Sequence, residues 1–334
     1  MYRLRVRRAS DSGAAYDAVA ECAERLSSLL SAGVSPAAAW SYLAESKRIP
    51  ENSDRVARGQ PDRVAQRWQS DLYEEAAAAA AVGASVADAV VEASDRGDLF
   101  ARTSWRVLAA AWAVAEESGA PLAGCLRELA VAARDNALLV REVRVALAGP
   151  LASARLVTAL PLVAVMFGLT LGFDTLGVLT SNPLGIGCLG AGVLLLWLGY
   201  RWNHALARRA SRDDGNPALE HDLLAIALSS GVSIARAQQL VHRTASRLGL
   251  TIVSDASIGQ VLSLAAGAGA PVADLLRSES ARLRRAARIA GQERAAKLGV
   301  GLMAPLGLCV LPAFIVLGIA PLLMSVVTST LRGS

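Results

Sequence analysis

Polar and apolar positions follow one another in two distinct patterns along this chain. In the first, apolar residues recur at helical spacing: Val19, Cys22, Leu26 and Leu29 sit at steps of three and four, with Glu21, Glu24 and Arg25 on the opposite side. In the second, charge disappears. No charged residue lies between Leu156 and Phe173, between Leu184 and Tyr200, or between Lys297 and Arg332. A run of roughly 17–25 apolar residues crosses a hydrocarbon core as a helix, so each run predicts a membrane span. Residues 174–183 are then a turn between the first two. The last run carries Pro305, Pro312 and Pro321 and reads as one kinked span, with two re-entrant halves around Pro312 as the alternative.

Between the helical segments the same corner recurs. Gly33-Val34-Ser35-Pro36 offers a glycine for the left-handed end of one helix, a serine to cap the next and a proline for its first turn. Gly83-Ala84-Ser85, Gly119-Ala120-Pro121, Gly231-Val232-Ser233 and Gly269-Ala270-Pro271 repeat it. Residues 49–62, with two prolines and a glycine, read instead as a polar loop.

The corners are themselves repeated. Gly119 and Gly269 lie 150 residues apart, and at that same offset Arg134 matches Arg284, Arg144 matches Arg294 and Gly149 matches Gly299. Gly33 and Gly231 open the two copies 198 residues apart, so the second copy is about 48 residues shorter and lacks a counterpart of the Gly83 corner. The expectation is an all-α membrane protein with two cytoplasmic antiparallel helical bundles, the second a shortened duplicate, and three transmembrane helices. Its parts are a bundle over 1–147, a transmembrane hairpin over 148–200, a second bundle over 201–297, and a third span with a short tail over 298–334.

Composition sharpens this picture. The chain of 334 residues is 53% hydrophobic and only 19% charged, high apolar content for a protein living wholly in water. Aromatics make up 4%, which disfavours large β cores. Residues 1–147 carry a net charge of −2 and residues 201–297 a net charge of +6, placing the basic excess beside the apolar runs. Arginines flank each run on the polar-bundle side, which by the positive-inside rule puts both bundles and the N-terminus in the cytoplasm and the C-terminus outside the inner membrane. The basic start, Arg3 to Arg8, is followed by no apolar core and is not read as a secretory signal.

Candidate chemistry is sparse. Cys22, Cys125, Cys188 and Cys309 share no metal or redox spacing and read as small buried hydrophobes. The three histidines, His204, His221 and His242, are scattered. The only lysines, Lys47 and Lys297, follow no glycine-rich loop. A phosphate-binding loop, a zinc-protease helix and a serine nucleophile elbow are all missing. No enzyme, metal or cofactor is expected. Arg134, Arg144, Arg284, Arg285, Arg288 and Arg294 are candidate contacts for an acidic partner or for lipid headgroups. Within the apolar runs Gly168, Gly172, Gly185 and Gly190, with Pro305 and Pro312, are candidate packing positions, between helices or between protomers.

These corners, each copy's arginine-bearing helix after them and the terminal stretch from Lys297-Leu298-Gly299 to Leu311-Pro312-Ala313-Phe314 resemble the type II secretion system F domain family. The C-terminal part looks most like the platform proteins of Tad (Flp) pili. The resemblance covers nearly the whole chain apart from the basic arm and the 49–62 loop. It implies a non-enzymatic inner-membrane platform, with helical bundles that contact a cytoplasmic secretion ATPase and a membrane part that engages pilin or pseudopilin subunits. A homo-oligomer or a second platform subunit is implied as well. A permease or channel subunit is the alternative, although no Asp, Glu, Lys or His lies at mid-depth of the runs. A membrane-anchored nucleic-acid binder through residues 201–297 is the third reading, and the arginines beside the runs favour lipid over DNA.

Overall fold

In the computed structural model the backbone is described for residues 2–47, 61–170, 183–210, 218–252, 256–301, 304 and 306–319. Every element among them is helical. The order is α1 (Tyr2–Ser31), α2 (Pro36–Lys47), α3 (Pro61–Ala81), α4 (Val86–Ser94), α5 (Leu99–Ser118), α6 (Leu122–Thr170), α7 (Pro183–Ala210), α8 (Leu219–Ser229), α9 (Ile234–Arg247), α10 (Ala256–Ala268) and α11 (Val272–Gly301). Two π-helical turns, Leu306–Val310 and Ile315–Ile319, flank the short α12 (Leu311–Phe314).

The corners form as local chemistry dictates. Gly33, Gly83, Gly119, Gly231 and Gly269 all take positive φ, between 65° and 86°, a conformation that strains any residue with a Cβ. At Gly119 the amide of Ala120 reaches back to the Ala115 carbonyl, 2.9 Å, and satisfies an end of α5 that would otherwise be orphaned. Ser85 then accepts from the Asp88 amide and Ser233 from the Arg236 amide, each opening the following helix.

The chain divides into two compact units. The first comprises residues 1–141 and 214–288, the second residues 142–213 and 289–334. At the centre of the first lies α5. Its sequence is apolar almost all the way round, so it is buried all the way round: Trp105, Leu108 and every residue from Ala109 to Ala115 are 0–3% exposed. One side carries Trp105 and Trp112, a period of seven apart. Trp112 meets Trp40 of α2 at 5.6 Å in a tilted contact, and Trp105 meets Tyr73 of α3 at 5.8 Å and Trp68 at 6.2 Å. The Trp68 indole donates to the Ala93 carbonyl at 2.8 Å and ties α3 to α4.

The other side of α5 receives α8 and α9. Arg106 donates to the Gly249 carbonyl, while Arg243 and Arg247 reach Glu117 at the opposite end and Arg247 also pairs with Asp88 at 2.8 Å. The two expected cytoplasmic bundles therefore share one apolar core, running from Ala15 to Leu276, within a single compact unit. The reason is visible on α5: a helix with no polar stripe needs partners on both sides, and α8 and α9 supply the missing ones.

The second unit packs α7 against the irregular segment at 306–319. Cys309, Ala313 and Leu317, at steps of four, are its buried residues. A Cβ on Gly192 would overlap the Leu317 side chain, so glycine there is what lets the two backbones approach.

The expected three transmembrane helices, and with them the multi-pass inner-membrane placement with the C-terminus outside, are corrected by this structure. Among the described residues no helix is long and apolar enough to cross a membrane. Although α6 is 49 residues long, it stays charged as far as Arg155, fifteen residues before its last described position, Thr170. The uncharged part of α7 ends at Tyr200, with Arg201 next. The third run is broken into turns of four and five residues by a change of helical pitch around Pro312. Residues 171–182 and 320–327, which the span reading needs, lie outside the described residues, as does the 49–60 part of the polar loop.

Candidate functional site

Side-chain ion pairs join α1 to α6 and α8 to α11. Helices α1 and α6 run antiparallel, and α6 presents an arginine every seven residues toward α1. Arg127 reaches the Ser31 hydroxyl at 3.1 Å, Arg134 grips Glu24, and Arg141 pairs with Asp17. Going up one helix by seven and down the other by seven keeps the partners opposed, as an antiparallel pair demands. The middle rung is bidentate. Arg134 Nε donates to Glu24 Oε1 at 2.8 Å and Nη2 to Oε2 at 2.6 Å. Beneath it, the buried Ser27 hydroxyl donates to the Ala123 carbonyl at 2.7 Å.

The second half of the chain holds a similar rung. Arg284 of α11 donates through Nη1 to both carboxylate oxygens of Asp222 on α8, at 2.9 and 2.8 Å. The two rungs hold equivalent places. Arg134 and Arg284 each lie fifteen residues beyond their corner glycines, Gly119 and Gly269, and Glu24 and Asp222 each lie nine before theirs, Gly33 and Gly231. The arginine half of this pairing is contained in the repeat. The carboxylate half is the part missed, and its signal was the same one, carried nine residues upstream of the first corner.

The electrostatics of the two rungs differ in sign. Glu24 is exposed, and the hydrogen bond from Arg134 holds its carboxyl below the ordinary range. Asp222 is sunk among α8 and α11, and burial pushes its carboxyl up against the opposing pull of Arg284. Beside it His221 is fully buried, with Nε2 2.9 Å from the Ser257 hydroxyl. The equivalent position in the first copy is Ala23, also fully buried. A fully buried imidazole bonded to a neighbouring helix has no route to a substrate.

The long helices that carry the arginines also meet each other at matching positions. In the first unit Arg277 of α11 pairs with Glu128 of α6 at 2.9 Å. In the second unit Gln292 donates to Glu142 at 2.9 Å, and these two residues occupy identical repeat positions, 150 apart.

The other candidate residues fall as follows. Ser35 accepts from the Ala38 amide at 3.4 Å, and Pro36 starts α2. Pro121 and Pro271 sit at matching N-terminal turns, their carbonyls accepting from Cys125 and Leu275. Arg144 and Arg285 are exposed, Arg288 is half-buried, and Arg294 bonds its own helix at the Ala290 carbonyl. Gly190 has open space around it, whereas the tight approach belongs to its neighbour Gly192. Pro312 lies in α12, Gly168 in α6 and Gly185 in α7, while Gly172 and Pro305 lie outside the described residues.

Among the described residues no cluster of three or more His, Cys, Asp or Glu could hold a metal ion. Burial raises the Cys22 thiol far above its ordinary value and the Cys125 thiol to about 11, so both stay protonated and inert near neutral pH.

Comparison with protein families gives one finding. The family described as type II secretion system (T2SS), protein F matches residues 22–170, from the middle of α1 to the end of α6. Curated proteins and solved structures give no match.

Proposed function

From the type II secretion system protein F domain that this chain carries in residues 22–170, we propose a non-enzymatic platform that couples a cytoplasmic secretion ATPase to pilin assembly or extraction, in a Tad-like or type IV pilus or a type II secretion system. The family supplies the coarse statement, a platform-type protein of such machines. What supports the finer one is the pair of equivalent arginine–carboxylate rungs. A platform of this kind must transmit displacement without making or breaking bonds, and rungs that lock a bundle's first helix to its last are how a helical stack does so. A push on α1 reaches α6 through Glu24–Arg134 and Asp17–Arg141, and a push on α8 reaches α11 through Asp222–Arg284. We read the second half, from Leu219 to Gly301, as a shortened second copy of the same domain, and the ATPase and the pilin or pseudopilin as the partners.

The test is genetic and biochemical together. Deleting the gene should abolish piliation or secretion, and a tagged chain should retain the co-encoded ATPase in a pull-down. Replacing Glu24 and Asp222 together by alanine should keep that retention and lose piliation. Normal pili in the deletion strain overturn the proposal.

A further inference from the structure

The first turn of α8 carries three titratable residues in a row, and each goes to a different helix. Asp222 pairs with Arg284 of α11, His221 meets Ser257 of α10, and Glu220 faces His242 of α9 at ion-pair distance, 3.4 Å. The first two contacts set a donor against an acceptor. In the third, both facing atoms are acceptors unless a further proton is present.

One nitrogen of His242 is already committed. Its Nδ1 lies 2.8 Å from the Gln238 carbonyl one turn back on α9, and a carbonyl only accepts, so that nitrogen carries a hydrogen. A neutral ring with its hydrogen on Nδ1 has a lone pair on Nε2, and Nε2 is the atom that faces Glu220 Oε1. A lone pair set against an ionised carboxylate repels, and Glu220 is only 4% exposed, so water screens little of the repulsion. One added proton turns it into a bond. The proton sits on Nε2, giving an imidazolium against a carboxylate, or on the carboxyl, which then donates to Nε2.

The charged groups of the surrounding helices have partners of their own. Arg243 and Arg247 of α9 reach Glu117 of α5, Arg247 also holds Asp88 of α4, Arg106 of α5 holds Asp95, and Arg284 of α11 is on Asp222. Helix α10 carries no charged residue. Glu220 and His242 stand eleven residues before and eleven after Gly231; the same steps from Gly33 fall on Cys22 and Ala44. Burial raises the Cys22 thiol far above its ordinary value, so it keeps its hydrogen, and alanine has none to exchange. Two helices joined by this corner are thus built without a proton-binding couple in the first half, and the couple in the second half adds what packing does not require.

We propose that Glu220 and His242 share one proton that locks α8 to α9, so that the lock is closed while the proton is held and loosens as rising pH removes it. The folded chain keeps a proton that an unfolded histidine has already given up. Its stabilising effect is therefore complete at low pH and is lost as pH rises. This lock is a property of the fold and stands independently of the platform reading.

The test is urea unfolding of the full chain at a series of pH values. The reference is His242→Gln, whose amide offers Glu220 a hydrogen at every pH. The unfolding constant of the unsubstituted chain, divided by that of His242→Gln, should rise severalfold from about pH 6.5 to about pH 8.5, by at most about tenfold per unit, the limit for one proton. Glu220→Gln, whose amide donates to the neutral Nε2, should stay level with His242→Gln over the same range. The Asp222 carboxyl is common to all three chains, so the ratio removes its own pH dependence. A contact that only packs would change stability by one factor at every pH. A ratio that stays within about twofold across the range overturns the proposal, and so does a Glu220→Gln chain that keeps the rise. The His242 side chain is 51% exposed, so its replacement leaves a folded chain that decides the question even where position 220 tolerates no change.

Discussion

A bidentate rung between two half-exposed groups and one between two sunken groups look alike on paper and differ in energy. Arg134 and Glu24 are each close to half exposed, so the solvent screens them, and Arg134→Ala should cost about 0–1 kcal/mol of stability. Arg284 and Asp222 are 22% and 28% exposed, and Arg284→Ala leaves a carboxylate without its donor in a poorly solvated place, a loss of about 1–3 kcal/mol. Urea unfolding at neutral pH would rank them, and a reversed order would show that burial is not what separates the rungs. The pH dependences run in opposite senses. The Glu24 carboxyl has a depressed folded-state value, so its contribution is present above its unfolded value and is lost as pH falls through the folded one. The Asp222 carboxyl is raised, so the folded state holds its proton longer, and stability declines as pH rises from the unfolded value through the folded one. Glu24→Gln should therefore flatten the acid limb of a stability profile, while Asp222→Asn should remove a loss on the less acidic side. At a corner, Gly119→Ala places a Cβ at φ 76° and should cost about 1–2 kcal/mol, measurable in the same titrations.

At the scale of whole elements, what sets this bundle is the contrast between α5 and its neighbours. Trp105 and Trp112 on one side of α5 hold α2 and α3, and the alanines on the other side admit α8 and α9. Trp112→Ala should cost about 3–5 kcal/mol, the usual loss for emptying a fully buried aromatic site, and thermal unfolding would show it. The same contrast explains what could be read in advance. Corners were legible because a left-handed glycine followed by a serine or proline is a local code that needs nothing from the rest of the fold. Arg134 and Arg284 were legible as a repeat, but not their partners, since Glu24 and Asp222 are 110 and 62 residues away and only the antiparallel packing brings them close. The shared core was not legible because hydrophobic periodicity reports that α5 is buried on both sides but not by which helices. The spans were misread for a related reason. Hydropathy counts uncharged residues, while crossing a bilayer requires them in one unbroken helix, and among the described residues no helix is long and apolar enough.

For the molecule as a whole, the shared core makes a demand that two separate bundles would not. If α8 and α9 owe their burial to α5, then disturbing the alanine side of α5 must be felt about 110–140 residues later in the chain. Ala113 is 3% exposed, and Ala113→Leu forces extra carbons into that contact, an overpacking worth about 1–3 kcal/mol. The expected outcome is faster amide hydrogen exchange across residues 219–247 in the full chain, by roughly five- to a hundredfold on the conversion of about 1.4 kcal/mol per tenfold. Exchange in α2 and α3 should change less, because Trp40, Tyr73 and Trp105 pack on the far side of the helix. Unchanged exchange at 219–247 would mean that the second half stands on its own core. It would then have to bury Leu223, Leu224 and Ile226 against α9, α10 and α11 alone, without the apolar side of α5 that shares their core here.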